Sequence, residues 1–175
     1  MAGLFVALED AGKASVKELG ALYARYCEDV GFSFEIVEAV ASGSKLLERG
    51  GAWLLEKWVE EGGGLNSEEC GLLASCFDGF TSWEGRYYLC RLFCVEGMAA
   101  LIGIEEVEFF LRESCSDKVP FVRACALSAY CRLGRDHLRY LAEAKEMVRN
   151  AKDTEQAKSV LSRLRHIDSI LKLDE

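Results

Sequence analysis

Proline is nearly missing from this chain of 175 residues, which has one, Pro120. Proline breaks helix interiors and is common in loops, so its scarcity suits a chain that is mostly helix. Histidine is almost as rare, with only His137 and His166. Neither has an obvious nucleophile or carboxylate in its pattern, which argues against a Ser–His or Cys–His catalytic arrangement. Long apolar runs are lacking too. No stretch without a charged residue exceeds eight residues, whereas a membrane-spanning helix needs about 20 apolar positions. The segment Met1–Leu8 has no basic flank and a short apolar run, and reads as a poor secretory signal. No strand-length alternation with hairpin signals occurs. Cys-x-x-Cys pairs and Gly-x-Gly-x-x-Gly are both absent. Gly43-Ser44-Lys45 lacks the upstream glycine and the following hydroxyl of a phosphate loop.

What remains is an ordinary globular composition, half apolar and 29% charged, which fits one domain over 1–175. The net charge of −8 is unevenly spread. Residues 1–117 hold 9 Lys+Arg against 21 Asp+Glu, and residues 118–175 hold 12 against 8. An acidic chain argues against strong duplex nucleic-acid binding, which needs a dominant basic surface. The eight cysteines sit mostly in apolar helical patterns, as small core residues do, and point to reduced thiols in a cytoplasmic protein. Cys90 and Cys94 lie one turn apart, but both histidines are remote, so a zinc site is not expected. No cofactor is expected.

Helical periodicity dominates. Ser15-x-x-Glu18 has capping-box spacing and leads a stripe of Val16, Leu19, Leu22, Tyr23 and Tyr26, closed by Gly31. A second helix is expected from Phe34 to Leu47, weakened by Gly43, and a short one from Ala52 to Glu61. Gly62-Gly63-Gly64 reads as a loop. Asn66-x-x-Glu69 starts the next helix, Ser82 caps another, and Glu105-Glu106 suits a helix N-terminus. Pro120 fits a first turn, and the run after it stops at Gly134. Asp136 starts a helix to about Asn150, and Asp153 with Gln156 caps the last one. The total is eight or nine helices in an all-α chain.

The helix-pair pattern recurs. Asp78, Asp117 and Asp153 each precede a second helix, at separations of 39 and 36, and Arg86, Arg123 and Lys158 recur inside at 37 and 35. Two helices per ~35–45 residues signal an α-solenoid, in which neighbouring pairs cover each other's apolar stripes. The run Asp117-Lys-Val-Pro120-Phe-Val122-Arg123-Ala-Cys-Ala126-Leu-Ser-Ala129-Tyr-Cys-Arg-Leu133-Gly134 resembles the second-helix signature of HEAT repeats. The match is partial at 78–96 and weak at 153–171, so residues 65–175 carry recognisable repeats and 1–64 divergent helix pairs. The resemblance implies a right-handed solenoid of stacked antiparallel helix pairs. It further implies that Asp117 and Arg123 brace adjacent repeats. The concave face would be lined by Arg86, Tyr87, Arg91, Arg123, Leu127, Arg132 and Arg163, off the core stripe.

The expected function is a non-catalytic scaffold that binds another protein, with Arg86, Tyr87, Arg91, Arg132 and Arg163 meeting an acidic segment of the partner. Arg and Tyr are favoured at interface hot spots. Paired glutamates such as Glu60-Glu61, Glu68-Glu69 and Glu105-Glu106 read as solvated helix ends rather than catalytic pairs. Trp53 and Trp58 read as core residues more readily than as a partner patch. Two alternatives belong to other classes. One is a nucleic-acid-acting protein, such as the DNA-repair glycosylases of the HEAT-like class. The other is a self-assembling homo-oligomer, in which the acidic end meets a neighbour's basic end.

Overall fold

The computed structural model describes residues 3–171. It is all-helical, with 78% of residues in helix. Eleven α-helices occur among the described residues: α1 (Leu4–Ala11), α2 (Val16–Tyr26), α3 (Phe32–Ala41), α4 (Lys45–Glu60), α5 (Ser67–Ser75), α6 (Trp83–Leu92), α7 (Met98–Ile102), α8 (Ile104–Cys115), α9 (Pro120–Asp136), α10 (Leu141–Thr154) and α11 (Lys158–Leu171). Short 3-10 turns, Phe77–Gly79 and Leu138–Tyr140, precede α6 and α10.

The caps explain several boundaries. Ser15 and Asn66 each close a reciprocal capping box, with Glu18 and Glu69 three residues on. Ser82 Oγ accepts the Gly85 N–H at 3.1 Å and opens α6. Pro120 occupies the first turn of α9, where its missing N–H has no helical partner to lose.

The sequence expectation differs in several places. α1 was not anticipated, and α7 stands as a short helix of its own. The expected Phe34–Leu47 helix is two helices, because Gly43 adopts φ +71 and turns the chain. α4 then begins at Lys45 and runs straight through Gly50-Gly51. A Cβ on Gly51 would lie 2.9 Å from the Val40 nitrogen and 3.0 Å from the Ile36 carbonyl oxygen. The glycine therefore marks close contact with α3, not a helix end. Gly134 behaves likewise: α9 continues to Asp136, and a Cβ at 134 would lie 3.0 Å from that of Ala144. The last helix is opened by Glu155, whose carboxylate accepts the N–H groups of Gln156 and Ala157, while Asp153 lies inside α10. Gly31, expected to close a helix, instead precedes α3.

The chain divides into two compact units, residues 1–92 and 93–175. In the first, α3 packs on α4 and α4 on α6, while α1 touches α2, α3 and α4, and α3 also meets α5. Its core holds Leu19, Ile36, Val37, Leu54, Leu55, Leu73 and Leu89. In the second unit α9 is central, packing against α8, α10 and α11. Tyr130, Phe110, Leu111, Val148 and Ile167 lie at its core. Val16, expected on an apolar face, is 53% exposed, and Leu127, expected to be off the core, is buried.

Candidate functional site

In the first unit Arg91, Tyr87 and Tyr88 of α6 lie beside a polar stripe of α4. Arg49, Trp53, Glu56 and Glu60 follow one another at spacings of four, three and four, so they share a side of the helix. Arg91 Nε lies 2.7 Å from Glu56 Oε1, and Arg91 Nη2 lies 3.6 Å from Glu60 Oε1. The guanidinium also sits 5.8 Å from the centroid of the Tyr87 ring, a cation–π distance. Tyr87 and Tyr88 meet edge to face at 5.3 Å. Half-buried Trp53 reaches towards α2, with its ring edge 3.9 Å from where a Cβ on Gly20 would stand.

The two acids of this cluster differ. Glu60 is 47% exposed, whereas the Glu56 side chain is 6% exposed. Burial pushes the Glu56 carboxyl up to about 7, Arg91 pulls it down, and Glu60 pushes it further up. Burial also raises Tyr88. Arg86 Nη2 donates to the Phe80 carbonyl at 3.0 Å. Arg49 donates to the Ala14 carbonyl at 2.5 Å.

In the second unit Arg123 joins three segments. Its Nη1 donates to the Asp117 carbonyl at 2.8 Å and its Nε and Nη2 to the Glu155 carboxylate at 2.9 and 3.0 Å. The Asp117 carboxylate accepts the Val119 N–H at 2.7 Å. Arg86 and Arg123 thus make the same contact, each with the carbonyl six residues before it. Arg132 is held by Glu96 at 2.7 Å and Asp136 at 2.9 Å. Exposed Arg163 approaches the Cys125 sulfur at 4.0 Å. Arg91 and Arg132 are neutralised by acids of their own unit, and Arg86 is spent on a helix start.

Sequence reasoning missed Glu56 and the stripe containing it. The signal was there in the spacing 49, 53, 56, 60, but Gly50-Gly51 concealed that one helix carries all four. It also missed a network beneath α8 and α10. The Tyr130 hydroxyl, fully buried, lies 2.8 Å from both Glu108 and Glu143, and Arg112 bonds the same two acids. A cavity of about 370 Å³ opens beside it, with Arg112, Cys115, Arg123, Leu127, Met147 and Val160 among its walls. Its two guanidiniums already serve Glu108, Glu143 and Glu155. Among the described residues no group of three His, Cys, Asp or Glu is placed to hold a metal ion.

The geometry defines an all-helical protein whose polar ties reach between segments about one helix pair apart. Several of these ties span 30 to 36 residues: Phe5 to Glu35, Ser33 to Glu69, Arg49 to Ala14, Glu48 to Thr81 and Ser82, Arg91 to Glu56, Arg123 to Glu155, Arg132 to Glu96 and Arg139 to Glu105. Compared with known proteins, the chain matches no family model, no curated protein and no solved structure.

Proposed function

We propose that this chain is a non-catalytic, HEAT-like α-solenoid scaffold that binds another protein through the exposed sides of its second helices. The observation that carries the reading is the spacing of the polar ties just described. In a repeat array each unit touches only its neighbours, so cross-segment bonds fall at one repeat length. The contacts α1–α3–α5 and α2–α4–α6 in the first unit support the same reading, as two rows of helices would give them. The contact of α9 with α11 continues that pattern in the second unit.

The bracing role of Asp117 and Arg123 belongs to this reading. Arg123 fixes the turn that carries Asp117 and the start of α11 together, which is what joining two repeats requires. For partner contact the support is strongest at Tyr87, Arg91 and Trp53, an aromatic and arginine mixture on one side of α4 and α6. The eight reduced thiols support a cytoplasmic setting.

A pull-down from native lysate with wild type, Tyr87→Ala and Arg163→Glu baits, each confirmed folded by circular dichroism, tests the scaffold. A set of proteins lost with one of the variants is expected. Identical recovery by all three baits refutes the proposed face. A salt-dependent mobility shift on duplex DNA would replace the reading with a nucleic-acid one. Light scattering that falls as salt rises would replace it with electrostatic self-assembly.

A further inference from the structure

On the α4–α6 side of the first unit, a shielded carboxylate holds an exposed cation. Arg91 is 40% exposed, yet its inner contact is Glu56, 6% exposed. Its outer contact is Glu60, which is itself 47% exposed and 3.6 Å away. A long, solvated pair of this kind is weak and readily exchanged for another carboxylate. The inner pair is different. A carboxylate shut away from water resists ionisation, and once protonated it no longer balances the guanidinium.

The other charged and titratable groups around Glu56 do not provide that balance. On α4 these are Arg49, engaged with the Ala14 carbonyl, and Glu60. On α6 they are Tyr87, Tyr88 and Arg91. Lys57 and Glu61 pair with one another. A protonated Glu56 therefore leaves a surface cation framed by Tyr87, with only exposed Glu60 beside it.

Resting on the scaffold reading above, we infer that Arg91, framed by Tyr87, receives a carboxylate from an acidic partner segment, and that Glu56 is the internal competitor that gates it by taking up a proton. The gate follows from position: Glu56 occupies the inner side of the guanidinium and the partner its outer side. The Glu56 carboxyl, pushed up to about 7, puts the transition near neutrality. Apparent affinity scales with the fraction of the competent form, so it changes about tenfold between pH 8 and pH 6.

The test uses the full chain and a labelled, end-blocked hexaglutamate peptide, with binding followed by fluorescence anisotropy at constant low salt. Wild type should bind about tenfold tighter at pH 6 than at pH 8. Glu56→Gln should bind equally at both, at the wild-type pH 6 level. Glu60→Gln, which removes the outer competitor, should bind more tightly, and Arg91→Gln should lose most of the affinity. An affinity independent of pH in wild type, or a pH dependence surviving in Glu56→Gln, overturns the gate. Preference for hexalysine overturns the acidic partner. If Arg91→Gln does not fold, the absence of any gain in Glu60→Gln overturns the site by itself. A lysate partner still lost with Tyr87→Ala alongside a flat hexaglutamate profile sinks the gate and leaves the scaffold standing.

Discussion

A carboxylate buried beside an arginine makes stability depend on pH as well as binding. The Glu56 carboxyl is raised in the folded chain, to about 7 from an ordinary 4.5. The folded state then holds this proton more tightly than the unfolded state does. The resulting stabilisation is complete below about 4.5, declines as pH rises, and is lost as pH passes 7. Glu56→Gln keeps the shape without the charge. It should melt close to wild type at pH 5 and several degrees above it at pH 8, the difference reaching about 3 kcal/mol at most. Calorimetry across that range checks the sign; an advantage that shrinks towards pH 8 contradicts it. The thiols respond in a similar way. Burial pushes Cys76 and Cys115 up to about 12, whereas Cys94 is exposed. A thiol reagent at pH 7.5 should label Cys94 first and Cys76 and Cys115 much more slowly. Mass spectrometry of the labelled peptides gives the order.

Single elements depend on a few cross-helix contacts. Glu48, 1% exposed on α4, accepts the N–H groups of Thr81 and Ser82 at 2.9 and 2.6 Å and the Thr81 hydroxyl at 2.9 Å. A helix on one side of the unit thereby organises the start of α6. Glu48→Ala leaves these donors without their acceptor and should cost about 2–4 kcal/mol, read as a lower denaturant midpoint with an unchanged slope. Gly51→Ala forces a methyl against the backbone of α3 and should cost about 1–3 kcal/mol in the same assay. These cases also show what the sequence could and could not disclose. Ser15 with Glu18, Asn66 with Glu69, and Pro120 were legible because capping chemistry is local. The gap left between Leu47 and Ala52 and the stop at Gly134 were misreadings, because a glycine that ends a helix and one that admits a neighbour look alike in one dimension. Arg91 was picked out as a contact residue from its type. Its acid partners were not, since Glu56 lies 35 residues away in sequence. Arg123 and Asp117 were paired in the sequence only through the resemblance, and the bond between them is to the Asp117 carbonyl rather than its carboxylate.

At the scale of the molecule, charge is unevenly divided. Residues 1–92 hold 8 Lys+Arg and 15 Asp+Glu, whereas residues 93–175 hold 13 and 14. The gated arginine therefore lies in the more acidic unit, where solvated acids compete for it and added salt weakens every exposed pair. Each unit has its own apolar centre, so a fragment of residues 1–92 should retain helical circular dichroism and melt cooperatively. A featureless melt would show that this core does not stand alone. Cross-segment bonds such as these, which reach 30 to 36 residues along the chain, have a consequence for speed. No distant ends must find each other before contacts reward the search, so little loop entropy is spent in advance. Refolding from denaturant should therefore finish within milliseconds, limited by neighbouring helices meeting, and with its single proline the chain offers few slow isomerisation steps to delay it.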